Sequence, residues 1–92
     1  MSRFIIEIPH NATKTECLRE LDAFMQAGAH YLTNADWGCL ANDHRALLTV
    51  DVSSEAEAKM LVPPYARNKA KVTALSKFTP EQVRALAGQM HG

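Results

Sequence analysis

The chain of 92 residues carries no net charge and few residues that interrupt regular structure. Ten basic side chains balance ten acidic ones, and there are only four glycines and four prolines. Nucleic acid is bound through a clustered positive field, so the balanced charge argues against a nucleic-acid partner. Because 47% of the residues are hydrophobic, disorder is excluded, and we expect one globular domain over residues 1–92.

Long apolar runs are also missing from the sequence. No segment approaches the roughly 18 apolar residues of a membrane-spanning helix. Glu7 interrupts the apolar N-terminal run at the point where a signal peptide would continue it. We therefore expect no membrane partner and a cytoplasmic location.

Cysteine is scarce, with Cys17 in a predicted helix and Cys39 in a predicted strand. A disulfide requires their Cα atoms to approach within about 7 Å. The expected cytoplasmic location favours two buried, reduced thiols instead. Neither cysteine belongs to a CxxC pair, which makes the metal-binding signal weak.

The histidines carry no HxH or HxxxH pair either. His10 precedes the first predicted helix and His30 follows it, so roughly 20 Å of helix separates them. His44 is expected in a solvated turn. We therefore predict no metal and no cofactor within one subunit, while a metal site completed by a second subunit stays open as an alternative.

What the sequence does contain is three capping boxes, Ser/Thr-x-x-Glu/Gln, which mark helix starts. The third box also has Pro80 at the first helical position, where its missing N–H is harmless. The helix that it opens is expected over about residues 80–90, with one apolar side formed by Val83, Leu86, Ala87 and Met90. The boxes are Thr13–Glu16, Ser54–Glu57 and Thr79–Gln82.

Alternating apolar residues between the boxes predict four strands. Their order with the helices is β-α-β-β-α-β followed by a C-terminal helix. This order predicts an α+β, ferredoxin-like fold: a four-stranded antiparallel sheet with two helices on one face. The predicted strands are Arg3 to Ile8, about Asp36 to Leu40, Arg45 to Val52 and Lys71 to Phe78.

Two helices can cover only one face of this sheet. The face expected under them carries Phe4, Ile6, Ile8, Leu48, Val50, Val52, Val72, Ala74 and Phe78. The open face would show Ile5, Leu47 and Leu75 within a ring of charged residues, a pattern typical of a buried interface. We therefore expect a homodimer formed face to face, although scattered surface aliphatic residues are the simpler alternative.

The middle and end of the chain resemble the small dimeric α+β-barrel proteins. The similarity lies in a strand hairpin after Ala29, Asp51-Val52-Ser53-Ser54, a short helix, and Pro63-Pro64-Tyr65 before the last strand. Length and hydrophobic layout are similar to those of muconolactone isomerase. The resemblance implies a homodimer, or a larger assembly, whose sheets enclose a cavity. It carries no catalytic motif, and the family also holds small monooxygenases and stress-related proteins.

Seven residues are candidates for a site between the sheets. Glu7, His30 and Asp36 are possible proton carriers. Trp37, Tyr65, Arg67 and Arg45 are possible ligand contacts, an arginine being suited to an anionic group. Each has an ordinary alternative: a salt bridge for Glu7, ring packing for Tyr65, a surface position for Arg67. Trp37 is expected in the core, although a one-residue bulge would turn it to the open face.

Two functions remain compatible with the sequence. One is a cofactor-free isomerase or oxygenase that holds an apolar or aromatic small molecule between the sheets of a homodimer. The other is a non-enzymatic binding or stress-associated protein of the same fold.

Overall fold

The computed structural model describes residues 2–91, and the side chains of residues 2–89, as an α+β domain. Its four strands are β1 (Ser2–Pro9), β2 (Asp36–Trp37), β3 (Arg45–Val52) and β4 (Lys71–Leu75). Its four helices are α1 (Lys14–Ala27), α2 (Ala29–Asn34), α3 (Glu55–Lys59) and α4 (Pro80–His91). Two short 3₁₀ turns, Cys39–Ala41 and Pro64–Ala66, precede β3 and β4 respectively.

The strands form one antiparallel sheet in the order β2-β3-β1-β4. The long strands β1 and β3 pair along their whole length, from Ser2 opposite Val52 to Pro9 opposite Arg45. The short strand β2 adds to the other edge of β3, with Trp37 opposite Ala46. The register of these two pairings decides which residues meet at the end of the sheet.

The core lies on one face of the sheet, as the alternation predicts. Phe4, Ile6 and Ile8 of β1 are buried together with Phe24 of α1 and Val62, which follows α3. Phe24 is fully buried, and its ring meets the Trp37 ring edge to face at a centroid distance of 4.8 Å. Edge-to-face contact is a favoured arrangement of two aromatic rings, so this pair anchors α1 to the sheet.

The helices begin at the three capping boxes. Thr13 Oγ1 accepts from Glu16 N at 3.1 Å, and Ser54 Oγ accepts from Glu57 N at 3.1 Å. Only the third box is fully reciprocal: Thr79 Oγ1 accepts from Gln82 N, and Gln82 Oε1 accepts from Thr79 N. The helix starts predicted from the sequence are therefore confirmed.

The segment after α1 differs from its predicted form. Gly28, with φ 153°, ends α1, and the chain continues as helix α2 where we expected the beginning of an irregular strand. The predicted strand to Leu40 is reduced to Asp36 and Trp37, because the chain turns at Gly38 into the 3₁₀ turn. Local backbone hydrogen bonds in this segment outweigh the β-propensity of Tyr31 and Thr33.

The last strand is shorter than expected, since it ends at Leu75 rather than Phe78. Phe78 is 62% exposed and lies beyond β4, so it is not part of the covered face to which we assigned it. Ala74 lies opposite the buried Phe4 and shares its face, although it is exposed on this edge strand. The pairing of β4 with β1 stops near the beginning of β1, at Leu75 opposite Arg3. The residues after Leu75 therefore have no strand partner in β1.

Helix α4 stands apart from the sheet. Every described side chain in residues 80–89 is exposed, and the molecule measures 53 × 28 × 20 Å. The apolar side formed by Val83 and Leu86 therefore faces solvent, while the Met90 side chain lies outside the described residues. Among residues 2–91, the longest apolar helices fall short of what is needed to cross a membrane.

Candidate metal centre

A histidine or a cysteine lies just beyond each of three neighbouring strands at the same end of the sheet: His10 follows β1, Cys39 follows β2, and His44 precedes β3. The pairing of Pro9 with Arg45 continues one residue further, where His10 N donates to His44 O at 3.1 Å. The pairing of β2 with β3 also continues, because Gly38 N donates to Arg45 O at 3.1 Å. The next residue in that register, Cys39, lies beside His44. The sheet register thus aligns Cys39, His44 and His10 across three adjacent chains.

Alternation sends all three side chains to the helix side of the sheet. His10 follows the buried Ile6 and Ile8 at two-residue spacing, and His44 precedes the buried Ala46 in the same way. Successive side chains of a strand point to opposite faces, so residues two apart share a face. Cys39 shares the parity of Trp37, whose ring packs on the core.

The fourth member comes from helix α1, which lies over this end of the sheet. Cys17 belongs to the helix stripe that faces the core, seven residues before the buried Phe24. Cys17 N donates the first hydrogen bond of the helix, to Thr13 O at 2.9 Å. The helix start at the capping box therefore fixes the position of Cys17 above the sheet. Cys17 is buried, and the other three residues are half-buried.

The four side chains form one compact cluster. One potential ligand atom from each of His10, Cys17, Cys39 and His44 can be chosen so that all four lie within 4.8 Å of one another. His10 Nε2 lies 3.4 Å from Cys39 Sγ. A tetrahedral Zn²⁺ holds sulfur at about 2.3 Å and nitrogen at about 2.0 Å, which places such a pair roughly 3.5 Å apart. The observed spacing fits that geometry.

Cys17 and Cys39 are joined as a disulfide in this structure, with their Cα atoms 6.8 Å apart. We expected two buried, reduced thiols, because of the expected cytoplasmic location. The two residues meet because α1 crosses the sheet above the turn that follows β2. The Cα separation lies at the upper end of the range for disulfides. Reduction would free two thiolates beside two imidazoles.

Two histidine nitrogens in the cluster lack a hydrogen-bond partner. Among the described side chains, the only buried polar atoms without a partner are His10 Nδ1 and His44 Nδ1. Buried polar atoms are nearly always paired, and an exception calls for a missing water or ion. Both exceptions fall on members of the same cluster, and a metal ion bound through His44 Nδ1 would account for one of them.

A hydrogen bond to a neighbour in the turn sets the tautomer of the neutral His44 ring, that is, which ring nitrogen carries the proton. His44 Nε2 lies 3.1 Å from Asn42 Oδ1, an oxygen that can only accept, so Nε2 donates. A neutral imidazole that donates from Nε2 carries its free lone pair on Nδ1. This is the unpartnered nitrogen, and an amide that orients a metal-binding histidine is a common outer contact of metal sites.

His10 is also held in the form that a metal requires. Burial lowers the pKa of His10, the charge of Glu20 opposes this shift, and the nearby His44 and Lys69 add to it. The lowered pKa favours the neutral imidazole, which is the form that coordinates metals. Glu20 itself is paired with Lys69, whose Nζ donates to Glu20 Oε1 at 2.8 Å.

The turn that carries Cys39 and His44 is tightly bonded. Asp43 N donates to Gly38 O at 2.9 Å, and Arg45 donates to the Asp43 carboxylate at 2.7 and 2.6 Å. This hydrogen bond lowers the pKa of Asp43 and raises that of Arg45. A side chain at Gly38 would bring its Cβ to 2.5 Å from Asp43 O, so only glycine fits there.

Asn42 holds the left-handed conformation at φ 62°, which asparagine tolerates better than most residues.

An apolar cleft opens onto the cluster. Its volume is about 600 Å³, and its wall includes Leu18, Leu21, Trp37 and Leu40 beside both cysteines and His44. Trp37 Nε1 donates to Leu32 O at 3.3 Å, so the indole is held in place within this wall. The expectation that Trp37 packs on the core is confirmed. The cleft gives small molecules a path to the sulfur atoms.

The four potential ligand atoms, two sulfurs and two nitrogens, indicate which kind of metal would fit the cluster. Two thiolates and two imidazoles suit a tetrahedral ion of intermediate softness, and Cys₂His₂ is a common set for structural Zn²⁺. Four protein ligands close the coordination sphere, whereas catalytic zinc keeps one position for water or substrate. We expected no metal within one subunit, because the sequence has no paired ligand motif, a solvated turn is predicted for His44, and a helix separates His10 from His30. The structure brings His10 and His44 together with both cysteines.

The acid–base candidates from the sequence lie elsewhere and apart from each other. Glu7 is on the open face, where its Oε1 lies 3.4 Å from Arg45 Nη1. Asp36 is exposed on the edge strand, opposite Leu47. His30 is exposed at the start of α2 with its ring 4.2 Å from that of Tyr31. The structure does not bring these three groups into one site.

The remaining candidates take part in packing and local bonding. Tyr65 donates to Glu20 Oε1 at 3.2 Å, and burial, followed by the charge of Glu20, raises the pKa of its phenol. Arg67 donates to the backbone oxygens of Val62 and Met60, at 2.9 and 3.3 Å. Arg67 therefore holds the end of α3 rather than aiming at a cavity.

The sequence signal that could have found the cluster is the register. If the β1–β3 pairing is placed with Pro9 opposite Arg45, then His10 and His44 become neighbours at once. We instead placed the turn so that Trp37 pairs with Leu48, which moves Cys39 two residues away from His44. A period-two pattern fixes which face a residue occupies but not which partner it meets.

Comparison of the chain with known proteins finds no matching family model, no matching curated sequence and no matching solved structure. The geometry of the cluster therefore carries the functional argument alone.

Proposed function

We propose that this protein is a zinc-binding domain whose metal centre is formed by His10, Cys17, Cys39 and His44. The observation that carries the proposal is the coincidence of two findings: all four ligand atoms lie within 4.8 Å, and both unpartnered buried nitrogens belong to the cluster. In the reduced protein, two thiolates would neutralise the divalent ion, and each histidine would use one nitrogen as a ligand.

The centre would be structural or regulatory rather than catalytic. A complete set of four protein ligands leaves no coordination position for a substrate. The ligands come from the end of β1, from α1 and from both sides of the β2–β3 turn, so the ion would join three strands and a helix. This favours the second function compatible with the sequence, a non-enzymatic protein.

Metal titration of the reduced protein tests the proposal. The chain is reduced with a phosphine, stripped with a chelator and titrated with Co²⁺, and the bound Co²⁺ is then displaced by Zn²⁺. We expect one ion per chain, with sulfur-to-cobalt charge-transfer absorption and the intense visible bands of tetrahedral cobalt. Absence of the sulfur-to-cobalt absorption would overturn the proposal.

Single substitutions identify the ligands. Loss of an outer contact alone lowers metal affinity by about 10–100-fold, so His44→Ala and Cys17→Ser are expected to lower it by more than about 100-fold. The matched control is His30→Ala, since His30 is exposed and lies outside the cluster. Equal affinities for His44→Ala and His30→Ala would remove His44 from the site and contradict the proposed four-ligand centre.

For the fold, we propose the ferredoxin-like arrangement. Its support is the strand order β2-β3-β1-β4 together with α1 and α3 packed on one face of an antiparallel sheet. A face-to-face homodimer that encloses a small-molecule cavity stays a prediction. Ile5 and Leu47 are half-buried on the open face, beside the Glu7–Arg45 ion pair. Light scattering tests the dimer, and a monomer at micromolar concentration would rule it out.

A further inference from the structure

The two cysteines of the cluster can satisfy two different chemistries from the same positions. In this structure they form a disulfide, whereas the proposed metal centre requires two separate thiolates. A thiolate bonded to another sulfur has lost the charge and the lone pair that bind zinc. The disulfide and the zinc complex therefore exclude one another within one chain.

We propose that this site is redox-regulated: a hydroperoxide oxidises Cys17 and Cys39 to the disulfide and releases the zinc ion. This inference rests on the proposed zinc centre, and it adds the condition under which the centre is emptied. It also assigns the structure described above, with its Cys17–Cys39 disulfide, to the oxidised form.

The hydroperoxide is the only co-reactant that the oxidation of the two thiolates requires. One thiolate attacks the peroxide oxygen, so that a sulfenic acid forms and the O–O bond breaks with loss of hydroxide or alkoxide. The second thiolate attacks that sulfur and expels the second hydroxide, which forms the S–S bond. Two electrons pass from the thiolates to the peroxide, two protons are taken up, and Zn²⁺ leaves with its oxidation state unchanged.

The buried histidine nitrogens favour the reduced, zinc-bound form over the disulfide form. In the disulfide form, His10 Nδ1 and His44 Nδ1 are buried without a hydrogen-bond partner. A buried nitrogen without a partner is unfavourable, and coordination of zinc through His44 Nδ1 would remove that penalty for one of the two. The penalty falls on the oxidised form, so reduction and zinc rebinding are favoured together.

The cleft supplies the access that such a switch requires. Both cysteines belong to the wall of the 600 Å³ cleft, which opens between Leu18, Leu40 and Trp37. A small neutral oxidant can enter an apolar cleft of this size, whereas a protein thiol is too large to do so. Buried structural cysteines without such a path are inert. We therefore expect hydrogen peroxide or a small organic hydroperoxide to act directly, with an intramolecular disulfide as the product.

Peroxide treatment of the reduced, zinc-loaded chain tests this inference. Metal release is followed with a chromogenic zinc chelator, thiols are counted, and the intact mass is recorded after denaturation. The expected result is one zinc ion released for every two thiols lost, with a mass decrease of two hydrogen atoms. Addition of a dithiol reductant and zinc restores the starting state.

Two variants sharpen the measurement. Cys39→Ser leaves one thiol, so it cannot form the intramolecular disulfide, and no mass decrease of two hydrogens is expected. His30→Ala keeps both cysteines and should behave as the unsubstituted chain. A loaded protein that keeps its zinc under peroxide, or that gains oxygen atoms at sulfur without forming a disulfide, overturns the switch and leaves the zinc centre intact.

Failure of the zinc centre itself gives a different result. A reduced chain that never binds Co²⁺ or Zn²⁺ overturns both proposals at the loading step, before peroxide is added. A chain that binds zinc and then releases it as the disulfide forms supports both. The loading step and the oxidation step therefore separate the two ideas.

Discussion

Zinc is expected to stabilise the reduced fold by an amount that the unpartnered His44 nitrogen and mass action allow us to estimate. A buried polar atom without a partner costs about 1–3 kcal/mol, which is the relief expected from coordination through His44 Nδ1. Linkage gives the total effect: free zinc at 1,000 times its Kd stabilises the native state by about 4 kcal/mol.

This free energy corresponds to a large change in melting temperature. For a domain of 60–100 residues, 1 kcal/mol shifts Tm by about 4–8 °C, so a stabilisation of about 4 kcal/mol by zinc should raise Tm by about 16–32 °C. The assay is thermal unfolding followed by circular dichroism, with a phosphine reductant present and either zinc or a chelator added.

The control variants separate specific binding from a general effect of zinc. His30→Ala should keep the full shift, because His30 lies outside the cluster, whereas His44→Ala should lose most of it. If the reduced chain melts at the same temperature with zinc and with chelator, the reasoning from the unpartnered His44 nitrogen and mass action is wrong.

Three further substitutions test the architecture around the centre. Gly38→Ala forces a Cβ to within 2.5 Å of Asp43 O and should weaken Zn²⁺ binding in a competition titration by about 10–100-fold, whereas Gly88→Ala, which meets nothing within 4 Å, should leave affinity unchanged. Phe24→Ala removes a fully buried ring and should lower the free energy of unfolding, measured by urea titration, by about 3–5 kcal/mol; a loss similar to that of the exposed Leu86→Ala would contradict the assigned core. Ser54→Ala removes the cap of α3 and should lower that free energy by about 1 kcal/mol in the same titration, with no such loss for Ser53→Ala.

Helix starts and the covered face could be read from the sequence because both depend on local pattern. The caps at Thr13, Ser54 and Thr79 satisfy amides three residues away, and the alternation of Phe4, Ile6 and Ile8 records burial directly. Neither signal requires knowledge of a distant residue. The sheet itself, antiparallel and four-stranded, followed from these elements.

The metal cluster could not be read in the same way because it depends on register. His10 and His44 are neighbours only through the alignment of β1 with β3, and Cys39 joins them only through the short β2. Helix α2 and the Cys39–Ala41 turn shortened the predicted strand and shifted that alignment. The four residues form no recognisable ligand motif: His10 and Cys17 come from separate segments, and only Cys39 and His44 share a turn.

The backbone bond from His10 N to His44 O has a kinetic consequence. The two histidines are distant in sequence, so the complete ligand set exists only after β1 and β3 have paired. Long-range pairing of this kind is a slow part of folding. Zinc would thus bind late, after the rate-limiting contacts have formed. The bonds from zinc to its ligands would then be absent from the transition state, and such bonds slow unfolding rather than accelerate folding. The lifetime of the folded chain, more than the speed at which it forms, would depend on the metal.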